Sequence, residues 1–247
     1  MDQQVTTLCE QKDFDSLQYL ILKQSVSAGD ILKYGVDNNQ EDVVVFALSV
    51  NADINYDNYY ALKTAAALGY SSLVETLIYR GANYCAGDYE PLFVAIRNDH
   101  YHIVEFLLSN GSNVNARDGQ TICEAAELGH TDIVRLLIKY NVISSANYNY
   151  PIYIATYHGH HDIVNMLVDA GADVNNQYHT TPLITAIQYN HEDIVLLLLN
   201  HGADVHEDDG RPFHIACEYG NTNIINLLVG YGACNSIPDC PKEITNN

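Results

Sequence analysis

Three histidines, His158, His160 and His161, crowd into one short stretch of a chain that otherwise shows little reactive chemistry. Imidazole is a common metal ligand, so an HxHH spacing invites zinc. A closed zinc site needs four ligands, and no thiol lies near these histidines in the sequence. Cys123 stands near His130, and Cys217 near His214, the two halves of a thiol–imidazole nucleophile. A catalytic thiolate needs open, positive surroundings. This chain has 11 Lys+Arg against 31 Asp+Glu, a formal net charge of −20. The phosphate loop GxxxxGK and the motifs GxSxG and HExxH are all missing. The acid pair Asp208–Asp209 reads as a solvated loop. These residues predict no enzyme, no metal and no cofactor.

His160 belongs instead to a column with His100, His130 and His191. An apolar pair keeps the same register: Val43–Val44, Leu73–Val74, Ile103–Val104, Ile133–Val134, Ile163–Val164, Ile194–Val195 and Ile224–Ile225. Their successive steps are 30, 30, 30, 30, 31 and 30 residues. Self-similarity at such a period means stacked units, each unable to bury its apolar face alone.

One stretch, 147–176, shows how a unit is built. Pro151 and Ile152 open a short helix, which stops near Gly159; proline suits a first turn because its missing N–H would be unpaired there anyway. A second helix begins at about His161, with Asp162 in its first turn, where a carboxylate favours the helix dipole. Ile163, Val164, Leu167 and Val168 share one helical face. Gly171 ends that helix as a left-handed cap, and Ala172–Asn176 is expected to run out extended. Two columns test this reading. The turn between helices holds Asn39, Gly69, Asp99, Gly129, Gly159, Asn190 and Gly220. The end of the second helix holds Asn51, Gly81, Gly111, Asn141, Gly171, Gly202 and Gly232. Only residues that tolerate a left-handed backbone appear. A third column, Ala65, Ala95, Ala125, Ala155, Ala186 and Ala216, is small, with Gly35 in the first full unit.

Six cysteines without a CxxC pair read as reduced thiols. The N-terminus has no basic stretch followed by an apolar one, and the run Ile194–Leu199 is far too short to span a bilayer. The expected location is cytoplasmic or otherwise intracellular, not secreted. The acidic balance repels phosphate backbones and anionic lipid, so nucleic acid and membranes are not expected partners.

Thr181-Pro-Leu, Ala155, Gly159-His160, Ile163-Val164, Leu167-Val168 and Gly171-Ala-Asp-Val-Asn175 resemble the ankyrin repeat, as do Pro212-Phe-His214 and Gly202-Ala-Asp-Val205. The period of about 30 and the many Tyr and Asn residues also resemble the ankyrin proteins of large DNA viruses of amoebae. The resemblance implies an all-α, ankyrin-type α-solenoid of stacked helix-turn-helix units. Seven are expected, at 27–56, 57–86, 87–116, 117–146, 147–177, 178–207 and 208–236. Residues 1–26 read as a capping half-repeat and 237–247 as a frayed tail. Only 7 residues separate Asn55 from Leu62, and Asn115 from Ile122. Short, blunt connecting loops are therefore expected in place of projecting hairpins.

The resemblance also implies a non-catalytic scaffold that binds another protein through loop tips and the exposed side of each first helix. The expected contact residues on the first helices are Arg97, Glu127, Tyr157, His158, Tyr189, Glu218 and Tyr219; at the loop tips they are Tyr59, Tyr89, Tyr148 and His179. Tyr157, Tyr189 and Tyr219 would line up as a stripe on a concave, acidic face. Tyrosine offers large contact area at low entropic cost. The partner would carry a basic surface, and would be a host protein if the viral likeness holds. The chain would act as a monomer. An adaptor to a ubiquitin ligase is the alternative, and with about eleven residues after the last unit it would have to use the array itself. A metal-binding or enzymatic array is a further one.

Overall fold

The computed structural model describes residues 2–140 and 149–233. They form sixteen helices and, among the described residues, no strand. The N-terminal body, Met1–Arg117, carries α1 (Gln3–Gln11), α2 (Phe14–Leu22), α3 (Ala28–Asp37), α4 (Glu41–Ser49), α5 (Tyr56–Leu68), α6 (Ser71–Tyr79), α7 (Ala86–Arg97) and α8 (Tyr101–Ser109). The C-terminal body runs from Asp118. It holds most of α9 (Ala116–Leu128), then α10 (Thr131–Lys139), α11 (Asn149–His158), α12 (His161–Asp169), α13 (Pro182–Gln188), α14 (Glu192–Asn200), α15 (Glu207–Tyr219) and α16 (Thr222–Gly230). Two helices, α1 and α2, precede Ser27, in the stretch expected to form a capping half-repeat. The polar run Gln3–Gln11 hides the first, whose only buried side chains are Val5 and Cys9.

The second helix of each pair is 9 residues long, too short to persist alone in water. Burial against neighbours holds it. Val74, Val104, Val134, Val164 and Val195 are fully buried, and so is every alanine of the small column. Gly35 shows why that column is small: a Cβ there would lie 2.8 Å from the Val44 side chain. Side chains also tie some second helices to the second helix of the following repeat. Glu41, at the start of α4, accepts from Thr76 at 2.5 Å and from Ser72 at 2.9 Å on α6. Glu192, at the start of α14, accepts from Asn221 and Asn223 ahead of and on α16.

Both punctuation columns adopt the left-handed backbone. Asn39, Gly69, Asp99, Gly129, Gly159, Asn190 and Gly220 have φ of 51, 78, 58, 77, 76, 61 and 71°. Asn51, Gly81, Gly111, Gly171, Gly202 and Gly232 have φ of 65, 95, 97, 99, 86 and 94°; Asn141 lies outside the described residues.

The connecting loops are blunt, and a tight device makes them so. In Ala172–Asn176 the chain is not simply extended: the Asp173 carboxylate accepts from the Asn175 amide at 2.9 Å, an Asx turn. Asp53, Asn83, Asn113 and Asp204 make the same turn. The next asparagine then bridges to the neighbouring loop, as Asn175 does with the Asp204 amide at 2.8 Å and Asn55 with the Asn83 amide at 3.2 Å. Three successive left-handed residues follow in the 30-residue repeats: Asp57–Tyr59, Gly87–Tyr89, Arg117–Gly119 and Asp208–Gly210. They spend few residues on turning the chain back into a right-handed helix. Where the step is 31 the extra residue removes the need, and Thr181 caps α13 with Pro182 in its first turn.

Candidate functional site

Tyr150, Tyr153 and Tyr157 fall at i, i+3 and i+7 of α11 and therefore share one face of it. The Tyr150 and Tyr153 ring centroids are 6.4 Å apart and those of Tyr153 and Tyr157 6.3 Å. Two neighbours complete the run. From the loop after α12, Tyr178 comes to 5.1 Å of Tyr150 and 5.7 Å of Tyr153, and His179 to 5.5 Å of Tyr153. Tyr189, the residue after α13, meets Tyr157 at 4.4 Å. Five tyrosines and His179 thus form one connected surface in the C-terminal body, and the His191 ring stacks beside Tyr189 at 6.5 Å. Tyr178 is 49% exposed and Tyr189 46%. The Tyr157–Tyr189 hydroxyl hydrogen bond, ahead of burial, pushes the Tyr189 phenol above its ordinary value. Burial pushes Tyr150 up, and the nearby Glu127 carboxylate adds to it.

Of the expected contact residues, the structure brings Tyr157, Tyr189 and His179 into this run. His158 lies at its edge, with its ring 5.0 Å from that of Tyr157. Tyr219 is 60% exposed and touches no ring among the described residues; Glu218 beside it is exposed. Tyr148 lies outside the described residues. Arg97 is in the N-terminal body, 3.6 Å from Glu90. Tyr59 lines a groove of about 270 Å³ with Asn58, Lys63, Ala86, Gly87, Glu90 and Pro91, and Tyr89 hydrogen-bonds Cys85. Tyr150, Tyr153 and Tyr178 are not among the expected contact residues. The first two were legible from their helical spacing with Tyr157. Tyr178 was not, because it arrives from the next loop.

Three histidines of the column tie neighbouring repeats together. His100, His160 and His191 each donate from Nε2 to a carbonyl near the end of the preceding repeat's first helix, at Ala67 (3.0 Å), Glu127 (3.2 Å) and Tyr157 (3.3 Å). His161 faces Asp162 at 3.2 Å. Among the described residues no group of three or more His, Cys, Asp and Glu side chains converges. Burial pushes the Cys123 thiol up to about 11, the opposite of what a nucleophile needs. Cys217 is exposed, and burial of its thiol still shifts it upward.

A family model described as "Ankyrin repeats (3 copies)" matches residues 32–118, 92–178, 122–209 and 172–239. The chain belongs to the ankyrin-repeat family. Among solved structures it is similar to the crystal structure of the human ASB11 ankyrin repeat domain, at 28% identity and a TM-score of 0.61, over 69% of this chain and 83% of that one. No curated protein matches it. Ankyrin repeats are protein-binding modules and generally not catalysts. Among the described residues no helix of this ankyrin chain is long and apolar enough to cross a membrane.

Proposed function

We propose that this chain is a non-catalytic scaffold that holds a basic protein against the tyrosine-bearing, acidic first-helix face of its C-terminal body. The connected ring surface from Tyr178 through Tyr153 and Tyr157 to Tyr189 is the observation that carries the reading. A fold stabilised by stacked short helices does not need tyrosines half exposed on one side. Such rings supply binding area at little entropic cost. The net charge of −20 favours a basic partner and speeds encounter with one. The 30-residue period and the Tyr- and Asn-rich composition support a viral origin and so a host protein as the partner. The scaffold works inside a cell and as a single copy.

Affinity capture from the natural cell type, followed by mass spectrometry, tests this. The double variant Tyr157→Ala/Tyr189→Ala is expected to keep its circular dichroism and lose its partner. Equal capture by variant and wild type discards this face.

A further inference from the structure

The C-terminal body differs from the N-terminal one in how it treats its aromatic rings. In the N-terminal body the chain's own cations cover three of them: Lys23 over Tyr19, Lys33 over Tyr60 and Arg117 over Phe93, at 5.5, 4.5 and 4.1 Å from the centroid. In the C-terminal body, which holds the larger tyrosine cluster, no cation covers a ring among the described residues. Between 118 and 233 the only Lys and Arg are Arg135, Lys139 and Arg211. Arg135 is held by Asp132 and Arg211 by Asp208. The negative faces of the Tyr178–Tyr189 run are left to a cation from outside. Glu127 on one flank and Glu218 on the other are exposed carboxylates that favour the same charge.

The geometry narrows which cation. Centroids 4.4 to 6.4 Å apart mean that the rings touch one another. No compact ammonium can slot between them, so a cation must lie flat on an outer face. A guanidinium is planar and weakly hydrated and stacks this way; a lysine ammonium is a compact, strongly hydrated point charge. The two most exposed rings, Tyr178 and Tyr189, stand at opposite ends of the run, beside Tyr150 and Tyr157. Tyr178 sits between Tyr150 and Tyr153, four to seven helical residues from Tyr157, which sets those ends roughly 6–10 Å apart along the helix. A polyproline-type segment repeats its facing every three residues, over about 9 Å.

We infer that the tyrosine run reads guanidinium groups, seating two arginines of an extended Arg-x-x-Arg segment on Tyr178 and Tyr189. This rests on the proposed role of the face and names what the face selects. The test is fluorescence anisotropy on the full chain, with length-matched labelled peptides containing Arg-Pro-Pro-Arg, Lys-Pro-Pro-Lys or Glu-Pro-Pro-Glu. The arginine peptide is expected to bind several-fold tighter than the lysine peptide, and the glutamate peptide not at all. Tyr178→Leu/Tyr189→Leu keeps apolar area and removes the ring faces; it is expected to weaken the arginine peptide about tenfold. Equal binding of the lysine and arginine peptides, lost in the leucine variant, overturns guanidinium reading and leaves the basic-partner face standing. Arginine-peptide binding indifferent to the leucine variant, or no binding by any peptide, overturns both.

Discussion

The imidazole of His191 lies against the turn at Gly159, where a Cβ would stand 2.7 Å from its Cε1. Gly159 is therefore constrained twice: by a φ of +76° and by the ring of the next repeat. Gly69 with His100 and Gly129 with His160 repeat the arrangement at the same 2.7 Å. Where the turn carries asparagine the following repeat has no histidine: Asn39 precedes Tyr70, and Asn190 precedes Asn221. Asp99 and His130 belong to different bodies. Gly171 isolates the backbone part, since its φ is +99° but nothing lies within 4 Å of an added Cβ. Gly171→Ala should cost about 1–2 kcal/mol, the price of a left-handed L-residue. Gly159→Ala should cost more, and His191→Ala should recover the excess in the double variant, as expected for residues in contact. Urea unfolding of the four proteins measures this; additive losses would show that the ring does not confine the turn.

The left-handed turns that shorten the loops are held under strain. Asn58 has a φ of +55° between Asp57 and Tyr59, which are also left-handed, and its side chain is exposed. Glycine relieves the steric cost without losing a buried contact. Asn58→Gly is expected to raise the urea midpoint slightly. Asn58→Val is expected to lower stability by about 1–2 kcal/mol, because a β-branched residue fits this region worst. The reverse order would mean that the turn is right-handed in solution.

Arg117 braces one such turn from the next repeat. Its guanidinium donates to the Gly87 carbonyl at 2.9 Å and to Glu90 at 2.6 Å, and lies over the Phe93 ring at 4.1 Å. Nη2 reaches both acceptors while Nε faces Asp88 at 3.5 Å and the plane stacks on the ring, an arrangement the single nitrogen of an ammonium cannot reproduce. Arg117→Lys is therefore expected to cost about 1–2 kcal/mol although it keeps the charge. Hydrogen exchange should show faster opening at Gly87–Glu90 in the variant; unchanged protection there would deny the brace.

The helix pairs were legible because the same demand recurs at a fixed period. Gly159 and Gly171 mark where the backbone must turn left-handed, and Ile163 and Val164 mark the face that must be buried. The triple left-handed turns were not legible, since Tyr59, Tyr89 and Arg117 are residue types that ordinarily avoid positive φ. Only the missing loop length hinted that something tight had to stand there. The site was half legible: Tyr157 and Tyr189 follow from repeat alignment, whereas the meeting of Tyr178 with Tyr153 depends on where the longer loop after Asn175 folds back.

Acid should weaken the N-terminal body through specific carboxylates. Asp13 is held below its ordinary 3.8 by the Ser16 hydroxyl and amide, Asp42 by Lys12, and Asp57 by Lys33. Glu41 is held below 4.5 by the hydroxyls of Thr76 and then Ser72. Each is lower in the folded chain than in the unfolded one, so the unfolded state binds the proton more readily. The stabilisation is therefore complete above the ordinary values and is lost as pH falls through the folded ones. The urea midpoint is expected to stay level from neutral pH down to about 5 and to drop below about 4. Glu41, Asp42 and Asp57 are exposed and Asp13 is half-buried, and solvent screening keeps each contribution small. Glu41→Gln is the sharpest check, because it keeps an acceptor for Thr76 while removing the titration. The variant should be less stable than wild type at neutral pH and should close the gap in acid; a gap that persists at low pH would assign the effect to packing instead of charge.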